Sequence, residues 1–328
     1  MTTDSPREPA RQEQRQEERM AADVAKQARR AAVVAVDLGG TTTRVATILL
    51  GGETGVPSMP SAPATFATEP DYAAQIAQLG EMVDAAAGLV RRRDGPLLGV
   101  GVSLGGRIAV DGASVAVAPN LRDYEGRPLV QDVMERCDGV APVRLAHDAL
   151  CGLLAEQRLG ALAGMPRCAY LTLSTGTGCA IHLESPMGAG VYTSIELGHQ
   201  ILDGNTRVCL CGQVGCLETF TGGRQLEQRY GQPIETLSAD QWAALRDELV
   251  EKLSLGLVNL AHLTRVEAVA IGGAIALHHP ELLPALRVNL RERLCGARLD
   301  LVPARWGADA PLIGAALLLT TPMGAVIH

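Results

Sequence analysis

The chain has 328 residues, 47% of them apolar, 20% charged and only 3% aromatic, with a formal net charge of −7. That length allows a substantial core and makes two domains the natural prior, while the acidic balance argues against a general nucleic-acid surface. A phosphorylated nucleotide is not excluded, because backbone N–H groups and a metal ion can hold phosphates on an acidic protein.

Residues Met1 to Arg30 are rich in Arg, Glu and Gln with almost no large apolar side chains, which predicts a disordered polar leader or a partner-binding tail. No apolar run is long enough to span a bilayer and the N-terminus lacks a secretory apolar core, so a cytoplasmic location with no membrane partner is expected. From Ala31 the pattern changes abruptly. Ala32–Val36 reads as a buried strand, Asp37–Arg44 as a tight turn, and Val45–Leu50 as a second strand. Tyr72–Arg92 has helical spacing, and Leu98–Val102 is another buried strand running into Gly105-Gly106. The apolar run Ala141–Ala146 leads to Asp148 and a helical stretch over Ala149–Ala161. Ala169–Leu173, a turn at Ser174–Gly178 and a strand over Cys179–Leu183 repeat the opening pattern. Gln241–Leu263 reads as a long helix, Ala268–Ile271 as a strand entering Gly272-Gly273, and Pro311–Leu319 as an apolar helix. Two strand–Gly/Thr turn–strand units, one in each half, suggest two related α/β lobes with a cleft between them.

Three motifs carry chemistry. In Asp37-Leu38-Gly39-Gly40-Thr41-Thr42 the glycines let the backbone approach a phosphate closely, and the Thr hydroxyls add donors. Asp37, at the strand end, can hold Mg²⁺. The plain alternative is a hairpin that uses Gly for its turn; the second turn, with Thr175, Gly176 and Thr177, favours phosphate, since two such turns can grip a polyphosphate from both sides. Asp148, at a helix start, can accept a proton from an attacking hydroxyl or serve simply as a helix N-cap. The most specific motif is His199 with Cys209, Cys211 and Cys216, a Cys₃His set typical of closed, structural zinc sites. The alternative is three reduced thiols near a surface His. Cys137, Cys151, Cys168, Cys179 and Cys295 are scattered and read as reduced, mostly buried thiols.

Together these residues resemble the ROK family of sugar kinases and sugar-responsive repressors from about Val33 to the C-terminus. Asp37-Leu38-Gly39-Gly40-Thr41 is similar to the family's first phosphate motif. Ser174–Ala180 is similar to the second, with Ser174 and Ala180 where glycines are usual. Glu196-Leu197-Gly198-His199 matches the Glu-x-Gly-His motif, and Cys209–Glu218 matches the Cys-x-Cys-Gly-x-x-Gly-Cys-x-Glu signature in full. The resemblance implies a two-lobed, actin/hexokinase-like α/β fold with a central cleft: a small lobe over 31–145, a large lobe with the zinc loop over 146–310, and a C-terminal helix in 311–328 that packs back onto the small lobe. It implies ATP with Mg²⁺ as donor, held by Asp37, Gly39, Gly40, Thr41, Thr42, Thr175, Gly176, Thr177, Gly272 and Gly273. Asp148 would be the base, and Gly106, Arg107, Asn120, His147, Glu196, His199 and Glu218 would contact the sugar. His199 would also bind a zinc that performs no chemistry, and the assembly would be a homodimer or homotetramer.

Two departures bear on the substrate. His147 stands where the family usually has a sugar-binding Asn, and Gly105-Gly106-Arg107 is similar to the loop of N-acylmannosamine kinases. The expectation is phosphorylation of a hexose at its 6-hydroxyl, glucose first, with N-acetylmannosamine or another hexose as alternatives. Two further readings stand beside it: a sugar-sensing regulator, for whose winged helix-turn-helix Met1–Arg30 is too short and polar, and a sugar-binding protein with weakened catalysis.

Overall fold

The structure is a computed structural model describing residues 31–51, 56–91, 96–137, 142–184 and 190–328; the polar leader, 1–30, lies outside the described residues. The strands are β1 (Ala32–Leu38), β2 (Thr42–Leu49), β3 (Ala64–Ala67), β4 (Leu97–Leu104), β5 (Arg107–Ile108), β6 (Val115–Val117), β7 (Val143–His147), β8 (Arg167–Leu173), β9 (Thr177–Glu184), β10 (Gly190–Ile195), β11 (Ala268–Gly272), β12 (Asp300–Pro303) and β13 (Val326–Ile327). The helices are α1 (Tyr72–Arg91), α2 (Leu129–Arg136), α3 (Asp148–Leu159), α4 (Glu218–Thr221), α5 (Gly223–Tyr230), α6 (Ala239–Thr264), α7 (Ala274–His278), α8 (Leu282–Arg291) and α9 (Ala310–Leu318).

Two mixed sheets share one plan. In the first, β1 and β2 form an antiparallel hairpin, β3 joins β2 antiparallel, and β4 and β7 extend the other side in parallel, giving the order β3-β2-β1-β4-β7. The second repeats this as β10-β9-β8-β11-β12, with β13 added in parallel beyond β10. β1 is buried along nearly its whole length, as expected of a strand covered on both faces. Register then sets the site. Leu38 pairs with Leu104, and Leu104 with His147, so the loops after β1, β4 and β7 emerge side by side at one edge. In open α/β sheets that edge, at the carboxyl ends of parallel strands, is where ligands bind.

Helices α3 and α9 fill the space between the sheets. α9 packs on β1, β4 and β7 and crosses α3, which packs on β8 and β9. Val33, Ala35, Ala46 and Ile48 of the first sheet share one core with Cys168, Tyr170 and Ala180 of the second through these two helices. α9 is apolar on all sides because both of its faces are covered. The close approach depends on glycine: a β-carbon on Gly101 would lie 1.9 Å from the Ala315 carbonyl oxygen, and one on Gly314 would lie 1.7 Å from that of Cys151. α9 ends at Leu318, since Pro322 cannot continue a helix, and the chain crosses to pair with β10. α6 begins two residues before the expected Gln241, where Ser238 and Gln241 form a reciprocal capping box. Among the described residues no helix is long and apolar enough to cross a membrane.

Candidate active site

A cleft of about 710 Å³ lies between the sheets and is lined from both, within the range of small-molecule sites. One end carries the two Gly/Thr turns. Gly39 N–H bonds the Thr42 carbonyl at 3.1 Å, closing β1–β2 about Gly40-Thr41. Gly40 abuts Asn120, whose Cβ would lie 2.8 Å from a β-carbon at Gly40. Gly39, Gly40, Thr41, Thr175, Gly176, Thr177 and Gly273 all line the cleft. Thr42 and Gly272 are not among its lining residues: Thr42 pairs with Ala67 on β3, and Gly272 is buried against Tyr170. Asp37 also lines this end, and its carboxylate is already engaged. Arg44 Nη2 donates to Oδ2 at 2.7 Å and Arg44 Nε to the same oxygen at 3.1 Å, while Ser103 Oγ donates to Oδ1 at 3.2 Å. Burial pushes the Asp37 carboxyl above its ordinary range and the nearby Asp148 charge adds to this, against the pull of Arg44.

Asp148 is the first residue of α3, not its N-cap. The cap is His147, whose Nδ1 accepts the Ala149 N–H at 3.2 Å and lies 3.1 Å from Asp148 Oδ1, which accepts the same N–H at 2.6 Å. The cap role that Asp148 could have filled is thus taken by a side chain that local sequence gave no reason to prefer, and the Asp148 carboxylate faces the cleft. Gly105, whose β-carbon would lie 3.9 Å from Asp148 Oδ2, leaves space beside it. A carboxylate so placed can take a proton from a bound hydroxyl.

Around Asp148 the structure gathers Gly106, Arg107, Asn120, His147, Glu196, His199 and Glu218. Gly106 packs against Val117 and Ala118, where a β-carbon would lie 2.9 Å from the Val117 carbonyl oxygen. Two contacts cross the cleft. Arg107 Nε lies 3.6 Å from Glu196 Oε1, and Arg224 donates to the side-chain oxygen of Asn120. Glu218 ties the second turn to the cysteine loop: Oε2 accepts the Thr177 N–H at 2.8 Å, and Oε1 lies 3.3 Å from Gln225 Nε2 and 3.9 Å from Cys209 Sγ.

The ligand atoms of His199, Cys209, Cys211 and Cys216 all lie within 4.8 Å of one another. Cys211 and Cys216 sulfurs are 3.7 Å apart, and Cys209 Sγ is 3.8 Å from His199 Nδ1. Two thiolates on one tetrahedral zinc, each bonded at about 2.3 Å, stand about 3.8 Å apart, so the donor set fits that ion in both type and spacing. Burial pushes the Cys216 thiol up to about 12, and metal binding to such a set would release the thiol protons.

Arg44 and Arg224 are among the polar groups lining the cleft that motif reading passed over, and the buried Ser103 joins them through Asp37. For Arg44 a signal existed: folding the hairpin about Gly40-Thr41 puts residue 44 directly opposite residue 37.

The model of the family described as "ROK family" matches residues 33–321. The chain belongs to the ROK family. A solved ROK family glucokinase from Streptomyces griseus, in complex with glucose and AMPPNP, superposes with a TM-score of 0.70 at 27% identity, covering 88% of this chain and 98% of that one. An N-acetylmannosamine kinase of Haemophilus influenzae is 29% identical over 63% of this chain and 74% of its own. A xylose repressor of Caldicellulosiruptor bescii is 27% identical over 60% of this chain and 55% of its own. The chain thus spans little more than half the length of the xylose repressors it matches. It is a ROK protein with kinase-like architecture, similar to kinases and to regulators alike.

Proposed function

We propose that the chain is an ATP-dependent sugar kinase that transfers the terminal phosphoryl group to the 6-hydroxyl of a hexose, with glucose the first candidate. The observation that carries this reading is Asp148, a carboxylate at the head of α3 that opens onto the cleft between two glycine turns. Asp148 takes the hydroxyl proton as the sugar oxygen attacks the terminal phosphorus, and ADP leaves. Gly39, Gly40, Thr41, Thr175, Gly176 and Gly273 hold the donor, with Asp37 at the metal that accompanies it. The rate then rests on positioning and charge neutralisation. Asn120, Glu196, His199 and Glu218 orient the sugar, and Arg107 and His147 shape its selection; an N-acetylmannosamine substrate is the main alternative, supported by Arg107 and the Haemophilus influenzae relative.

His199, Cys209, Cys211 and Cys216 would hold zinc, which supplies a rigid tetrahedral node and no open position for chemistry. The loop so held carries His199 directly, and through Glu218 it steadies the Thr175–Thr177 turn. A sugar-responsive regulator is the second reading, supported by the similarity to xylose repressors; the cleft-facing Asp148 favours catalysis.

Purified protein with Mg-ATP should release ADP with at least one of glucose, mannose, fructose, allose and N-acetylmannosamine. Silence across this panel, with sugar binding intact, would favour the regulator. Asp148→Asn should abolish turnover and spare sugar binding; surviving turnover would remove Asp148 from the role of base.

A further inference from the structure

Among the described residues three arginines line the cleft: Arg44, Arg107 and Arg224. Arg107 and Arg224 reach across it to Glu196 and Asn120 at the sugar end. Arg44 alone stands with Gly39, Gly40 and Thr41 at the donor end, placed there by the β1–β2 hairpin opposite Asp37. Its Nε and Nη2 both converge on Asp37 Oδ2. Nη1 donates to Asp309 Oδ1 at 3.2 Å and Nη2 to the Ala308 carbonyl. A guanidinium has five N–H donors; these contacts use four and leave one on Nη1. The side chain is 20% exposed, so it is open to the cleft yet held in place.

The electrostatics ask for such a group. Asp37 and Asp148 line the same cleft, close enough that the Asp148 charge opposes ionisation of Asp37, and two carboxylates there would repel a polyphosphate. Arg44 is the fixed cation that offsets them. Arginine is also suited to the task, because its planar fork can serve two acceptors at once, which the point charge of a lysine does less well.

Resting on the kinase reading, we propose that Arg44 is a ligand of the donor's phosphate chain. Its guanidinium is shared between Asp37 and a phosphate oxygen, and it stabilises the charge on the phosphoryl group in transfer. No proton moves at Arg44; it remains a cation throughout. Its contacts to Ala308 and Asp309 fix the guanidinium and are not part of the chemistry.

Calorimetric titration of the full chain with MgAMPPNP, AMP and the accepted sugar tests this directly. Arg44→Gln should weaken MgAMPPNP about 10- to 100-fold, the range for a hydrogen bond to a charged group, while leaving AMP and sugar affinities unchanged. Arg44→Lys should lose less, and over the same ligand only. Asp309→Asn, which removes a neighbouring charge but keeps an acceptor oxygen for Arg44, should bind all three as the wild type does. The proposal is overturned if Arg44→Gln binds MgAMPPNP as tightly as the wild type. It is equally overturned if Arg44→Gln and Arg44→Lys lose all three ligands in proportion, or if the wild type does not bind MgAMPPNP. Wild-type protein that binds MgAMPPNP selectively through Arg44 but turns over no sugar would leave the Arg44 assignment standing and sink the kinase reading alone.

Discussion

Replacing Gly314 by alanine tests how the space between the sheets is filled. The added carbon would lie 1.7 Å from the Cys151 carbonyl oxygen, 2.2 Å from its carbonyl carbon and 2.6 Å from its α-carbon. These are backbone atoms of α3, so no side chain can rotate away, and ordinary contact at 3.4 Å needs a separation of about 1.7 Å between α3 and α9 at this point. Overpacking of this kind costs about 1–3 kcal/mol and more where backbone must move. At about 2–4 °C per kcal/mol, the melting midpoint should fall by roughly 2–12 °C. Activity should fall further than stability suggests: Cys151 lies one helical turn after Asp148, and a displacement of order 1 Å at a reacting group costs about a hundredfold in rate. Gly324→Ala is the control, since a β-carbon there meets nothing within 4 Å. Circular dichroism melts and ADP release under saturating substrate read the two effects. A Gly314→Ala protein that melts within about 1 °C of the wild type would refute the tight crossing.

Metal analysis should find about one zinc per chain, and Cys211→Ser should lower metal affinity by more than the roughly 10- to 100-fold that losing an outer-shell partner costs; full metal content in that variant would break the four-ligand set. On the proposed roles, with His199 shared by metal and sugar, sugar affinity should fall with the metal. Glu248 sits between Arg207 Nη2, at 2.9 Å, and Arg229. Burial raises its carboxyl, but the two arginines prevail and hold it below the ordinary value of 4.5. A depressed carboxylate contributes stability above that value and loses it as pH falls through the folded one, so Glu248→Gln should cost up to about 1 kcal/mol at neutral pH and nothing once the wild-type carboxyl is protonated. Urea midpoints at pH 7 and pH 3 check this, and an equal deficit at both would refute the electrostatic account.

The motifs were legible because each demands particular residue types at fixed spacing. The Gly39-Gly40 turn and the Cys209–Cys216 loop declare themselves, since only glycine tolerates such close backbone approach and only thiolates and imidazole suit the metal. Strands such as β1 and β8 stood out as unbroken apolar runs. The short strands β3, β5, β6 and β12 carry no such pattern over their few residues and escaped. Of the two roles open to Asp148, the cap falls to its neighbour: Asp is a preferred cap in general, but β7 runs one residue past the expected Ala146, and His147 caps α3 with Asp148 as its first residue. Arg224 was missed because its partner, Asn120, comes from across the cleft, where sequence distance carries no information, whereas the pairing of Arg44 with Asp37 was within reach of hairpin register.

Those missed arginines change how the cleft works. At the sugar end two of the groups expected to contact the substrate already hold partners, Glu196 the sequence-named Arg107 and Asn120 the overlooked Arg224. Arg107 and Glu196 are 58% and 51% exposed, and an exposed pair of this kind is worth at most about 1 kcal/mol. A sugar offering several hydroxyls can therefore replace it at little cost. At the donor end the balance differs. Arg44 is mostly buried, makes four contacts and joins β2 to the segment leading into α9. Breaking it outright would leave a buried carboxylate unpaired, which costs several kcal/mol. The donor must accordingly share Arg44 with Asp37, whereas the sugar can displace its placeholders, and the two ends of one cleft are built for different modes of entry.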